Sequence, residues 1–126
     1  MNTLKEGLSH TSRITIDSSL TAKAIGSGDL EVFASPAMIA LMENAAMLAV
    51  KDHLDPEYTT VGGHIDVSHL HPSAKGREVK ATATLTKVEG KKLTFSVEAH
   101  EGDTLIGRGT HLRFIVHRSR FLSSLP

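Results

Sequence analysis

The 126-residue sequence has no cysteine, no tryptophan, a single tyrosine and no excess of charge of either sign. Without cysteine there is no disulfide, no thiolate nucleophile and no cysteine-ligated zinc or iron–sulfur centre. The 14 basic residues balance the 14 acidic ones, whereas a nucleic-acid-binding surface needs a basic stripe. We therefore expect no nucleic-acid partner.

Long hydrophobic runs are missing as well. The start of the chain, MNTLKEGLSH, has no apolar segment of the kind found in signal peptides. No stretch approaches the roughly 20 apolar residues of a membrane helix. These features predict a cytoplasmic protein without membrane contact, and the length predicts one domain spanning residues 1–126.

The most apolar stretch is SPAMIALMENAAMLAVKDH, residues 35–53, which predicts the only long helix. Ser35 is predicted either to cap it or to direct its hydroxyl at a ligand bound at the helix N-terminus. Pro36 suits its first position, and Asp55-Pro56 is predicted to end it. Apolar side chains lie almost all round, so the helix must be buried on most sides. Glu43 is a carboxylate within this run. It is either a residue at the edge of the apolar arc that reaches solvent, or a general base or nucleophile.

Five β-strands are predicted around this helix, one before it at 8–16 and four after it. The later strands are joined mostly by tight turns and lie at 59–70, 78–88, 92–100 and 104–117. This order predicts an α+β fold, in which an antiparallel sheet packs against one helix. Because the helix is more apolar than one sheet face can cover, we expect a second copy to cover the rest, as a homodimer.

Three other stretches are less regular. The segment 17–31 is predicted to be a loop with one helical turn at 21–25, either a lid or an ordinary connection. Gly62-Gly63 predicts a β-bulge or a close approach of the backbone. Residues 118–126 are predicted to form a polar tail.

Two strands carry polar side chains on faces predicted to meet the helix. By period two, His69 lies on the same face as Ile65 and Val67, and it is either a core histidine or a catalytic one. Arg113 shares a face with His111 and two glycines, and a semi-buried arginine there needs an anion such as Glu43 or a ligand group. The histidines at 64, 69 and 71 fit no standard ligand spacing, so no metal site is predicted.

Several motifs resemble those of a known family. In order they are GSGDL (26–30), ASPAM (34–38), ALME (40–43), VSHL (67–70), VEGKKL (88–93) and IGRGTHLRF (106–114). Each is weak alone, but their order and spacing resemble the fluoroacetyl-CoA thioesterase-like group of hotdog proteins. The resemblance implies a hotdog fold, a five-stranded antiparallel sheet wrapped around one long central helix, whose protomers pair.

The same resemblance implies hydrolysis of an acyl-CoA thioester at a site shared by two protomers, without metal or redox cofactor. The family's catalytic hydroxyl, glutamate and histidine fall on Ser35, Glu43 and His69, although the family commonly has threonine at the first of these positions. The family's pocket glycine and arginine fall on Gly62 and Arg113. Whether the glutamate activates water or attacks the thioester stays open.

One departure concerns the acyl group. The fluoroacetate-specific member of the family has aromatic residues in its lid, whereas residues 20–30 of this chain have none. The nearest aromatic is Phe33, which joins the residues predicted to bind substrate. We therefore expect a different small or medium acyl group. The alternatives are a non-catalytic acyl-CoA or acyl-carrier binding protein and a hotdog hydratase or dehydratase, and pairing of dimers into a tetramer stays open.

Overall fold

The computed structural model describes residues 3–126, which form five strands, one long helix and several short helical segments. In chain order these are β1 (Ser9–Thr15), a 3₁₀ turn (Ser18–Leu20), α1 (Ala22–Ile25), α2 (Ser35–Lys51), β2 (Tyr58–His69), β3 (Glu78–Glu89), β4 (Lys92–Glu101), β5 (Thr104–His117) and α3 (Arg118–Ser123). None of the helices within residues 3–126 has the length and apolar character needed to cross a membrane.

The strands form one antiparallel sheet in the order β1-β3-β4-β5-β2. Tight turns join β3 to β4 and β4 to β5, and Gly90 and Gly102 adopt the positive φ angles of 62° and 58° that such turns require. The register of β2 against β5 shifts between Gly62 and His64, so the predicted bulge is confirmed. β1 and β2 are the edge strands.

The core lies between α2 and the concave face of the sheet. The alternating residues Val79, Ala81, Ala83 and Leu85 of β3 are fully buried against it, as their period of two predicts. The buried residues of α2 are Met38, Leu41, Met42, Ala45, Ala46, Ala49 and Val50. The helix packs mainly over β3 and β1, so it covers the β2 side of the sheet less completely. The predicted α+β architecture is confirmed.

The prediction that Ser35 caps the long helix is wrong. The cap residue is Ala34, no side chain caps the helix, and Ser35 is its first residue. The helix also ends earlier than predicted, at Lys51, with Asp52 as its C-cap. Pro36 explains part of the missing cap at the N-terminus, because a proline in the first turn has no N–H that needs a hydrogen-bond acceptor. The Ser35 hydroxyl is therefore available for another partner.

The prediction of a polar tail at 118–126 is also wrong at its start, where α3 forms. His117 caps this helix, because its side chain accepts a hydrogen bond from the backbone N–H of Arg120. The helical turn predicted at 21–25 is confirmed by α1, and the strand boundaries differ from the predicted ones by at most one residue.

The segment between β1 and α2 is held against its neighbours by main-chain bonds. The N–H of Ala22 donates to Val32, that of Phe33 to Ser73, and that of Ala34 to Leu20, at 2.8 to 2.9 Å. These bonds join residues 18–34, which we call the lid segment, to each other and to Ser73.

Candidate active site

Ser35 and His69 form the first half of the site. The start of α2 and the end of β2 bring the Ser35 Oγ to 2.7 Å from Nδ1 of His69. Phe33, from the lid segment, meets the imidazole edge-on, with ring centroids 6.4 Å apart. The sequence predicted these three residues for the site, and the structure brings them together.

The imidazole of His69 has one nitrogen left without a partner. Its Nε2 is buried and has no hydrogen-bond partner among the described residues. Burial lowers the pKa of His69 below its usual value, and the main chain at His71 opposes this shift. The ring is therefore neutral near pH 7 and able to accept a proton. Buried polar atoms normally have a partner, so Nε2 is suited to a group from another molecule.

A cavity of about 350 Å³ opens beside this pair. Such a volume is at the lower end of the range for small-molecule sites, which begins near about 300 Å³. Its walls are mostly apolar or small, with the lid segment on one side and the end of β2 on the other. The lining residues are Ala22, Ser27, Val32, Phe33, Ser35, His69, Leu70, His71 and Pro72.

Glu43 belongs to a second group of residues, at the middle of α2. Its Oε2 lies 3.9 Å from Nε2 of His111 and 4.0 Å from Nη1 of Arg113. A Cβ added to Gly62 would come within 2.8 Å of the same oxygen. The glycine therefore leaves the space that the carboxylate occupies. The Glu43 side chain is 40% exposed in the single chain, so it is open to water or to a ligand.

Arg113 is the buried cation that faces this carboxylate. The residue is only 7% exposed, and its Nε and Nη2 donate to the Thr60 hydroxyl and carbonyl oxygens at 2.8 and 2.9 Å. Burial lowers the pKa of Arg113 and Glu43 raises it, but an arginine stays charged in proteins. The anion that the sequence required for Arg113 is thus Glu43, at the long end of ion-pair distance.

Within one chain the two groups lie apart. Ser35 and Glu43 are eight residues apart on one helix, which is about 12 Å at 1.5 Å per residue. His69 lies at the end of β2 and Gly62 in its first half, and they pair with Gly107 and Arg113 of β5, respectively. The structure therefore joins Ser35 to His69, and Glu43 to Gly62 and Arg113, but does not bring the three predicted catalytic residues together.

Two residues of the second group received no role from the sequence. His111 was placed on the face of Arg113 by its period of two, but nothing in the sequence shows that its ring contacts the guanidinium. Thr60 lies two residues before Gly62 on β2, and its bonds to Arg113 depend on the pairing of β2 with β5. That pairing is a long-range property, so no local signal marks this residue.

The fold is that of the hotdog-fold thioesterases. The chain superposes on a thioesterase superfamily member from Thermus thermophilus with a TM-score of 0.90, over 98% of this chain and 92% of the other, at 24% identity. That likeness shows the fold. A structure of the fluoroacetyl-CoA thioesterase, a threonine-to-serine variant in complex with acetyl-CoA, aligns with a TM-score of 0.91 and 32% identity over 96% of each chain.

Sequence comparison identifies the family. The model of the fluoroacetyl-CoA-specific thioesterase family matches residues 16–119. The fluoroacetyl-CoA thioesterase of Streptantibioticus cattleyicolor is 41% identical over 91 residues, which are 72% of this chain and 66% of that protein. This chain belongs to the fluoroacetyl-CoA-specific thioesterase family. The resemblance and the class of enzyme predicted from the sequence are confirmed.

Proposed function

We propose that the protein hydrolyses a small or medium acyl-CoA at a site built from two copies of the chain. In the overall reaction the carbon–sulfur bond of the thioester breaks, water supplies the oxygen of the free acid either directly or through an anhydride with Glu43, and the leaving thiolate takes up a proton to give coenzyme A. The observation that carries the proposal is the separation of Ser35 and His69 from Glu43 in a chain of a thioesterase family.

The edge strand β2 supports pairing of two copies. It has 12 residues, and beyond β5 on one side it has no neighbour within the described chain. A long edge strand presents unpaired N–H and C=O groups that another strand can satisfy. Antiparallel pairing of two β2 strands about Asp66 places His69 of one copy, three residues after the axis, opposite Gly63 of the other, three residues before it. Gly63 is next to Gly62, against which Glu43 of the same copy lies, so this pairing brings His69 of one copy near Glu43 of the other.

Such pairing gives the unpartnered imidazole nitrogen a role. The Ser35 hydroxyl donates to Nδ1 of His69, and the Nε2–H donates to the Glu43 carboxylate of the partner subunit. Glu43 acts as the general base on water or attacks the carbonyl to give a transient anhydride. When Glu43 acts as the base, it takes a proton from the attacking water, His69 gives its Nε2 proton to the leaving thiolate, and the proton on Glu43 then restores Nε2–H. Ser35 and the backbone of Gly62 orient the thioester carbonyl. None of these steps needs a metal or a redox cofactor.

The acyl group follows from the walls of the cavity beside Ser35. The lid segment contributes Ala22, Ser27 and Val32 there, and its aromatic residue is Phe33, packed on His69. Residues 20–30, which precede Phe33, contain no ring that would narrow the cavity around a two-carbon fluorinated group. We infer that the substrate is a small or medium acyl-CoA for which fluorine is not required.

The first test measures free thiol released from a panel of acyl-CoAs of increasing chain length. Wild-type protein should hydrolyse unfluorinated thioesters, and Glu43→Gln should lower kcat by about 10² or more, because a glutamine cannot accept the proton from water. Glu98→Gln, on the outer face of β4, is the matched control and should keep full activity. Near-wild-type turnover of E43Q would refute the role of Glu43.

The same panel separates the alternatives. Tight binding of an acyl-CoA without thiol release would make the protein a binding module. Loss of the absorbance of an enoyl-CoA, with no thiol released, would make it a hydratase. Either outcome would overturn the proposed hydrolysis, and preference for the fluorinated two-carbon thioester would overturn the proposed acyl group alone.

A further inference from the structure

His111 is the most buried titratable side chain near Glu43, and its two ring nitrogens have different partners. The residue is 1% exposed. Its Nδ1 lies 2.7 Å from the carbonyl oxygen of His64, and since a carbonyl only accepts, Nδ1 carries a hydrogen. Its Nε2 lies 3.1 Å from Nη1 of Arg113, and since a guanidinium only donates, Nε2 carries the lone pair. The contacts therefore select one neutral tautomer.

The guanidinium of Arg113 has an acceptor for each of its three nitrogens. Thr60 provides two of them, through its hydroxyl and its carbonyl, and His111 provides the third. Because the guanidinium is planar and rigid, three acceptors fix both its position and its orientation. Of the three, only His111 binds Nη1, the nitrogen that lies 4.0 Å from the Glu43 carboxylate.

We propose that His111 is a positioning residue of the thioesterase: it holds Nη1 of Arg113 at the Glu43 carboxylate by accepting a hydrogen bond on Nε2. This inference rests on the proposed role of Glu43 in hydrolysis. His111 itself touches neither substrate nor the reacting atoms in the proposed reaction. It acts through the arginine, which sets where the carboxylate lies and stabilises its charged form.

The surroundings of His111 keep its ring neutral. The carbonyl of His64 on β2 and the Glu43 carboxylate on α2 favour a positive charge on the ring, whereas Arg113 on its own strand and the His64 side chain disfavour it. From β4 the ring meets the uncharged Phe95. Burial is the largest effect, and the pKa of His111 is lowered from its usual value. Protonation would place a hydrogen on Nε2, which removes the acceptor of Arg113 and sets two cations side by side.

Two substitutions separate this role from a purely structural one. His111→Gln places an amide oxygen near the position of Nε2, so it keeps an acceptor for Arg113 and gives up the bond to the His64 carbonyl. His111→Asn places its amide near Nδ1, so it keeps the bond to the carbonyl and gives up the acceptor. We expect H111N to lower kcat by up to about 10²-fold with KM nearly unchanged, since small misplacement of a catalytic group has effects of this size. H111Q should recover most of that loss.

A lower kcat in H111Q than in H111N would overturn the inference, because it would show that activity depends on the bond to the His64 carbonyl. Equal losses in both, with lowered thermal stability, would assign His111 a structural role and overturn it too. A change in KM of H111N with kcat unchanged would also overturn the inference.

Nuclear magnetic resonance gives a readout that does not depend on activity. The ¹⁵N shifts of the His111 ring should show a protonated Nδ1 and a free Nε2 at pH 7. The Nε–H of Arg113 should give a sharp, slowly exchanging signal in wild type and H111Q, and a broadened one in H111N. A protonated Nε2 in wild type would refute the positioning contact. A protein with the expected spectra but no hydrolysis of any acyl-CoA would refute the proposed function and leave the contact standing.

Discussion

At the scale of single residues, the site depends on space as much as on charge. Glu43 lies against a backbone position without a side chain, Gly62, and faces a cation that is itself held by three acceptors. A carboxylate in such a position has a cation beside it and is still open to water, because its side chain is 40% exposed. These are the properties that a general base or nucleophile needs.

Gly62→Ala tests this use of space. Its new Cβ would lie 2.8 Å from Oε2 of Glu43 and 3.3 Å from the His111 ring, so the carboxylate must move. We expect kcat to fall by roughly 10-fold to 10²-fold. Stability should change little, by about 0.5 kcal/mol or less, because the position is exposed and the carboxylate can swing towards solvent.

Gly107→Ala is the contrasting variant. Its Cβ would lie 2.5 Å from the sulfur of Met38, which is fully buried in the core. Overpacking of this kind costs about 1–3 kcal/mol of stability. Thermal unfolding and thiol release are measured on both variants, and we expect G62A to lose activity and G107A to lose stability. Full activity of G62A would contradict the close packing of glycine and carboxylate.

Functional residues could be predicted from the sequence where burying a charged side chain costs free energy in its surroundings. A carboxylate in an apolar helix marked Glu43, and an arginine on a glycine-lined strand face marked Arg113. His111 was not marked, since a histidine among β-strand residues is unremarkable until its neighbours on another strand are known. The predicted capping role of Ser35 failed for a related reason: its hydroxyl bonds to His69, 34 residues away.

At the scale of secondary structure, β2 is the element on which the proposal depends most. It carries Thr60 and Gly62 near its start and His69 at its end, and it lies at an edge of the sheet. The bulge between Gly62 and His64 changes which residues face inwards along the strand. In the proposed dimer one strand thus serves both halves of the site, in two different copies of the chain.

Absence of native cysteine allows a direct test of this strand pairing. We expect single cysteines, introduced in turn at positions 64 to 68, to form an intermolecular disulfide at the position nearest the twofold axis. Opposed residues of antiparallel strands have Cα atoms about 4.5–5.5 Å apart, which suits a disulfide. A Thr15→Cys variant at the other edge, on β1, is the control. If no position in β2 cross-links more than T15C on a non-reducing gel, the strands do not pair.

Secondary structure was predictable wherever its signal is local. The strands and the long helix were predicted to within one or two residues at most of their ends. The signals were the alternation in β3, the glycine turns and the apolar run of α2. The order of the strands in the sheet was not predictable in the same way, because pairing of β1 with β3 and of β2 with β5 joins distant parts of the chain. Helix α3 was missed because its first turn depends on a cap from His117.

At the scale of the whole molecule, one chain holds two half-sites that do not meet. The sequence predicted a homodimer from an excess of apolar surface on the long helix, and the structure adds a reason based on chemistry. His69 has a buried nitrogen without a partner, and Glu43 has an exposed carboxylate at the other half-site. The dimer, the tetramer left open by the sequence and the cytoplasmic location all stay predictions.

The most direct measurement is the activity of hybrid dimers. Glu43→Gln and His69→Asn chains are each expected to be inactive alone. Co-expressed with different affinity tags and purified through both, they form a hybrid with one intact site out of two if the site is shared, and thiol release should reach about half that of wild type. The converse hybrid, wild type paired with the double variant E43Q/H69N, should be inactive. Half activity in that converse hybrid, with none in the first, would show that one chain carries the complete site and would contradict the shared site.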